Sequence, residues 1–202
     1  MASDTVLIVI DVQNDFCPGG ALAVERGDEI LPRINELIRS HEHVVLTQDW
    51  HPADHASFAS QHENRSPFET IEFPYGAQTL WPDHCVQGSF GAELHAGLAW
   101  TKAELILRKG FRRPIDSYSA FFENDRRTPT GLSGYLRERG IAHVVLAGLA
   151  TDFCVGFSAL DARKLGFSSV TVVESACRAI DLQGSLDRMK EEWRKVGVRT
   201  AA

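Results

Sequence analysis

A chain of 202 residues with 44% hydrophobic content is long enough for one substantial core, and a single domain over 1–202 is expected. A net charge of −6 without a basic run argues against nucleic acid or an anionic membrane as partner. No apolar stretch approaches the roughly 20 residues that cross a bilayer, and the N-terminal MASDT lacks the regions of a signal peptide, so a cytoplasmic protein is expected.

The first apolar run, TVLIVI at 5–10, is β-branched and stops at Asp11, where the turn-rich QNDFCPGG cannot extend it. A helix is expected over 28–40, with Asp28 as its cap, Pro32 in its first turn and Ile30, Leu31, Ile34, Leu37 and Ile38 as its apolar stripe. HVVLTQ at 43–48 is a second strand with Asp49 just beyond it. Residues 50–103 mix aromatics, prolines, histidines and glycines without a sustained period, which predicts a long loop with short elements; loops of that length in a compact domain are usually functional.

ELILR at 104–108 is a third strand, followed by Lys109 and Gly110, and an irregular aromatic-rich stretch leads to a helix over 131–139. HVVLA at 143–147 reads as a strand buried on both faces, and Gly148 ends it. Thr151 and Asp152 are expected to start the next helix, whose first turn carries Cys154 and whose apolar spacing runs to Leu165. SSVTVVE at 168–174 is a fifth strand, a helix follows over 185–196, and 197–200 begins a sixth strand. Alternating strands and helices predict an α/β fold: an open parallel sheet of about six strands with helices on both faces.

That order brings Asp11, Asp49, Lys109 and the turn before Cys154 to the carboxyl ends of strands, the edge at which open α/β sheets bind ligands. A helix N-terminus favours thiolate at Cys154, Lys109 supplies a cation, and Asp11 can accept a proton and later return it to a leaving amine. Taken singly, a post-strand Asp caps turns and a Lys is solvated; the shared rim reverses that preference. Asp49 and His51, with His55 and His84 further on, offer a carboxylate and imidazoles that suit one divalent ion, zinc first, with iron or manganese as alternatives. The approach of His84 cannot be deduced from its distance in sequence. His41, His43, His62, His95 and His143 read as ordinary surface or strand-edge residues, Cys17 and Cys85 as packing of the pocket wall beside the motif residues, and Cys177 as a thiol without a partner base.

DVQNDFCPGGAL, TQDWHPADHASF, WPDHCVQGS, LRKG and GLATDFCV, in this order, resemble the signature segments of the nicotinamidases within the isochorismatase-like cysteine hydrolase family. The resemblance implies a Rossmann-like three-layer sandwich and hydrolysis of nicotinamide to nicotinate and ammonia, with pyrazinamide as a second substrate. It implies Asp11, Lys109 and Cys154 as a catalytic triad and Asp49, His51 and His84 as metal ligands, with His55 matching a ligand found in part of the family. It further implies a cis peptide at Leu149-Ala150 and oxyanion donors in the amides of Ala150 and Cys154. Phe16, Leu22, Trp81, Tyr118 and Phe153 would wall the ring, core packing remaining open for each. A related amidase, a catalytically silent binding domain and a hydrolase using metal-bound hydroxide stay open, as does assembly into a homo-oligomer.

Overall fold

The computed structural model describes residues 3–202; Met1 and Ala2, part of the stretch read for a signal peptide, lie outside them. Strand β1 (Thr5–Ile10) is nearly continuous in branched apolar residues and is buried from Val6 to Ile10. Burial on both faces is what such a composition supports in the middle of a parallel sheet. Around it stand β2 (His43–Asp49), β5 (Leu105–Lys109), β6 (His143–Leu149), β7 (Ser169–Arg178) and β8 (Arg199–Ala201), in the order β5-β2-β1-β6-β7-β8. Every pairing in this six-stranded sheet is parallel, as the alternation of elements predicts. A separate antiparallel hairpin, β3 (Thr70–Phe73) and β4 (Gly76–Thr79), is the main regular structure within the long 50–103 connection.

The two faces of the sheet carry two cores. Val6, Ile8 and Ile10 point to the side covered by α2 (Leu132–Glu138), α3 (Cys154–Lys164) and α4 (Ser185–Val196). Leu7 and Val9 point to the opposite side, where α1 (Leu31–Ser40) lays down Ile34, Leu37 and Ile38. This alternation is the two-residue period of a strand meeting the helical period on each face.

Several boundaries differ from the sequence reading. The helix expected from residue 28 opens as a 3-10 turn, Gly27–Ile30, before α1, and Asp28 makes no capping hydrogen bond. Strands β2 and β5 each run to include Asp49 and Lys109, because these two residues are register partners across the sheet. Strand β7 continues to Arg178 because Cys177 and Arg178 pair with Gly148 and Leu149 beyond a register shift in β6. Helix α3 begins at Cys154 without a side-chain cap, so Thr151 and Asp152 do not start it as expected. Among the described residues no helix is long and apolar enough to cross a membrane.

Gly148 shows why β6 can press against β1 at the rim. Its φ is +125°, and a Cβ at this position would overlap the backbone of Ile10. A side chain there has neither the dihedral freedom nor the space. Gly148→Ala is therefore expected to lower stability by about 1–3 kcal/mol, read as a fall in the urea midpoint. A midpoint equal to that of the parent would contradict this packing.

Candidate active site

The site lies where the topology reverses. From β1 the chain builds outward to β2 and β5, then returns to place β6 on the other side of β1. Adjacent carboxyl ends therefore diverge at β1 and β6, which opens a crevice between their following loops. Asp11 leaves β1 with φ +48°, and the turn after β6 delivers Cys154 at the start of α3. The aligned pair Asp49 and Lys109 completes the rim from β2 and β5.

Four reactive groups meet there, all buried. The Lys109 ammonium is 2.8 Å from Asp11 Oδ2, 2.5 Å from Asp49 Oδ1 and 3.3 Å from Cys154 Sγ, and it donates to the Ser117 carbonyl at 2.9 Å. Thr47 donates its hydroxyl to Asp11 Oδ1 at 2.6 Å and accepts the Asp11 amide at 3.2 Å, fixing that carboxylate from β2. Asp11 Oδ2 accepts no directed hydrogen bond, although the ammonium lies beside it. Asp11, Asp49 and Cys154 each present an atom to one common space, all within 4.8 Å of one another.

The electrostatics follow from one cation serving two carboxylates. Burial alone would discharge Lys109, but Asp11 and Asp49 overcome it and hold the ammonium well above the ordinary lysine range. Burial pushes Asp11 up to about 6, with Lys109 opposing it and Asp49 adding to it. Burial works on Asp49 in the same direction, yet Lys109 and His51 outweigh it and hold that carboxyl below its usual range. At Cys154 burial opposes the thiolate that a helix N-terminus favours. Burial pushes its thiol well above the ordinary range, Lys109 opposes this, and the two carboxylates reinforce it. A thiolate would be a third anion around one ammonium in a dry site, and these surroundings therefore favour the thiol.

The second cluster adjoins the first through Asp49. Its Oδ2 is 3.6 Å from His51 Nε2 and 3.9 Å from His84 Nε2. Each imidazole has its other nitrogen against a backbone carbonyl: His51 Nδ1 at 2.8 Å from Gly110, and His84 Nδ1 at 2.8 Å from Pro82. A carbonyl only accepts, so each Nδ1 carries a proton and each Nε2 is turned toward Asp49. Burial pushes His84 down to about 4, which keeps it neutral. Burial lowers His51, but Asp49 outweighs it and holds that imidazole above its ordinary range. Two imidazoles and a carboxylate, oriented in this way, fit a divalent ion once His51 gives up its proton. Gly110, at φ +65°, leaves room for the His51 ring that a Cβ would occupy. Gln13 clamps Asp49 from both sides, accepting its amide at 2.8 Å and donating to its carbonyl at 2.9 Å. His55 packs against His51 at 4.4 Å between centroids, but its ring nitrogens meet Ser57 Oγ at 2.7 Å and the Ile115 carbonyl at 3.3 Å.

One pocket connects the two clusters. Phe16, Leu22, Trp81, Tyr118 and Phe153 all line it, together with Asp49, His84, Ala150 and Cys154. Trp81 and Phe153 meet edge to face at 4.9 Å, and Tyr118 meets Phe153 at 5.5 Å. Such walls suit a flat ring. The Leu149-Ala150 peptide is cis, in agreement with the resemblance. Neither the Ala150 nor the Cys154 amide has a hydrogen-bond acceptor among the described residues.

Asp116 and Ile180 also line the pocket and escaped the sequence reading, as did the supporting roles of Thr47 and Gln13. Asp116 sits in an aromatic stretch without period, where nothing marks one acid above another. Ile180 follows β7, whose end is four residues beyond its expected place.

An isochorismatase domain model matches residues 5–200. A nicotinamidase of Acinetobacter baylyi is 55% identical over 198 residues, covering 98% of this chain and 92% of that protein. The solved structure of an Acinetobacter baumanii nicotinamidase/pyrazinamidase superposes with a TM-score of 0.97 at 55% identity, covering 98% of this chain and 95% of that one. That of a Pyrococcus horikoshii pyrazinamidase in complex with zinc superposes with a TM-score of 0.79 at 34% identity, covering 98% and 99%.

The buried ammonium gives a direct test of the site's construction. Lys109→Met keeps the side-chain volume but leaves Asp11 and Asp49 without their shared cation. In metal-free protein it is expected to lower stability by about 3–5 kcal/mol, measured by urea denaturation. A loss below about 1 kcal/mol, the range of an exposed ion pair, would contradict it.

Proposed function

The chain belongs to the isochorismatase domain family, and we propose that it hydrolyses nicotinamide to nicotinate and ammonia, with pyrazinamide as a second substrate. The observation that carries this reading is the pocket shared by the thiol cluster and the histidine-carboxylate cluster. One end offers a nucleophile for the carboxamide and the other donors for an ion, with aromatic walls between them.

Asp49, His51 and His84 would hold the divalent ion, and the zinc-bound relative favours zinc. Such an ion supplies Lewis-acid binding of a ring nitrogen, which would orient a pyridine or pyrazine. His55 is left outside this set, since both its ring nitrogens are engaged elsewhere.

Cys154 Sγ attacks the carboxamide carbon while the thiol proton passes to Asp11. A resting thiol makes that transfer necessary, and a carboxyl raised to about 6 is close to neutrality, where a general base works best. Lys109 holds Asp11 beside the sulfur and stabilises the anion as it forms. The amides of Ala150 and Cys154 receive the developing oxyanion, each donor contributing about 3 kcal/mol in comparable sites. Asp11 returns its proton to the amide nitrogen as the C–N bond breaks and ammonia leaves. It then takes a proton from water attacking the thioester, and that proton returns to the sulfur as nicotinate departs.

Cys154→Ala is expected to reduce ammonia release from nicotinamide by roughly a thousandfold or more, while metal content by elemental analysis stays at that of the parent. Ammonia release at the parental rate would remove Cys154 as nucleophile. His51→Ala is expected to lose most of the bound metal and to raise KM for nicotinamide. A purified parent without a stoichiometric divalent ion, still fully active after chelation, would contradict the second cluster's role.

A further inference from the structure

Asp152 stands two residues before Cys154, yet its carboxylate serves a different segment. It is 2% exposed and does not cap α3. Its Oδ1 accepts the Ile180 amide at 3.0 Å, its Oδ2 accepts the Asp181 amide at 2.8 Å, and the Ser185 hydroxyl also donates to Oδ2. Ser185 is the first residue of α4, and Ile180 and Asp181 lie in the connection from β7 to it. Asp181 and Gln183 both adopt left-handed backbone there, with φ of +53° and +52°, a conformation that non-glycine residues keep when their surroundings hold them.

This connection separates two spaces. Ile180 lines the pocket beside Ala150 and Cys154, whereas Leu182, Gln183 and Ser185 line an open groove on the outer side. Phe153 borders both. Most other ties of the segment run to its own helix: Arg188 donates to the Gln183 carbonyl at 2.6 Å, and Asp181 Oδ1 accepts the Leu186 amide at 3.2 Å. Upstream, the Thr151 amide donates to the Arg178 carbonyl at 2.8 Å, before the segment turns over the pocket.

We infer that Asp152 is a positioning residue whose carboxylate latches the 180–185 segment to the turn bearing the nucleophile, and so holds Ile180 as a wall against the substrate ring. The inference rests on the nicotinamidase reading and extends it to a residue outside the reacting groups. It also explains the chemistry at this position. The carboxylate has only acceptors and faces two amides and a hydroxyl, all of which can donate. An asparagine of nearly the same size would turn an NH2 toward one of those donors.

The test combines kinetics with local hydrogen exchange in Asp152→Asn, Ser185→Ala and Ile180→Ala. For Asp152→Asn, KM for nicotinamide is expected to rise about tenfold with kcat within about threefold, since wall contacts are shared by ground and transition states. Amide exchange is expected to quicken across 178–186 and not in the sheet. Ile180→Ala should raise KM without quickening exchange, and combining it with Asp152→Asn should add little, as for coupled positions. Faster exchange or a lower Tm in Asp152→Asn with KM within about twofold of the parent would reduce the residue to an anchor of α4 and overturn the latch. Should Asp152→Asn fail to fold, a parental KM in both Ser185→Ala and Ile180→Ala would overturn it equally. A parent that releases no ammonia contradicts the nicotinamidase reading, whereas turnover with unaltered KM in the variants contradicts the latch alone.

Discussion

A single ammonium shared by two buried carboxylates holds the rim together. Lys109 lies within 2.8 Å of both Asp11 and Asp49, and neither acid could keep its charge out of water without it. The two carboxylates then face different partners, Asp11 the thiol and Asp49 the imidazoles of His51 and His84. The same sharing sets the chemistry of Cys154. With the cation's charge already divided between two anions, the surroundings favour the thiol, which suits the proposed mechanism with its base beside the sulfur.

Such a cluster needs a frame that leaves no freedom. The parallel sheet provides it by bringing β1, β2, β5 and β6 to one edge, with the crevice at the reversal between β1 and β6. Thr47 then fixes the Asp11 carboxylate and Gln13 the Asp49 backbone from neighbouring elements, and the Gly110 and Pro82 carbonyls hold a proton on the Nδ1 of the two imidazoles. Most of these supports reach between segments far apart in the chain that the sheet sets side by side.

The fold and the reacting groups were legible because their signals are local. An apolar run that stops at an acid or a lysine places that residue at a strand end, and the alternation of elements places the strand ends together. His84 was legible only through resemblance, since its approach depends on the path of a long connection. Thr47, Gln13, Asp116 and Ile180 were not legible, because each acts through a contact across many residues that no period encodes. Asp152 misleads for the opposite reason. An acid before a helix is a good local cap, but three donors from the 180–185 segment compete for the same carboxylate and win. Burial likewise pushes the Cys154 thiol up, and burial is a property of the whole fold.

The proposed chemistry stands on turnover through the Cys154 sulfur. The most direct measurement is a titration with a small thiol alkylating reagent, in which the modified fraction of Cys154 is mapped by peptide mass and ammonia release from nicotinamide is followed in the same samples. Activity is expected to fall in step with that fraction and to extrapolate to zero at one modified Cys154 per chain, with nicotinate slowing the modification. Undiminished ammonia release from protein fully alkylated at Cys154 would contradict it, and would move the chemistry to the histidine-carboxylate cluster.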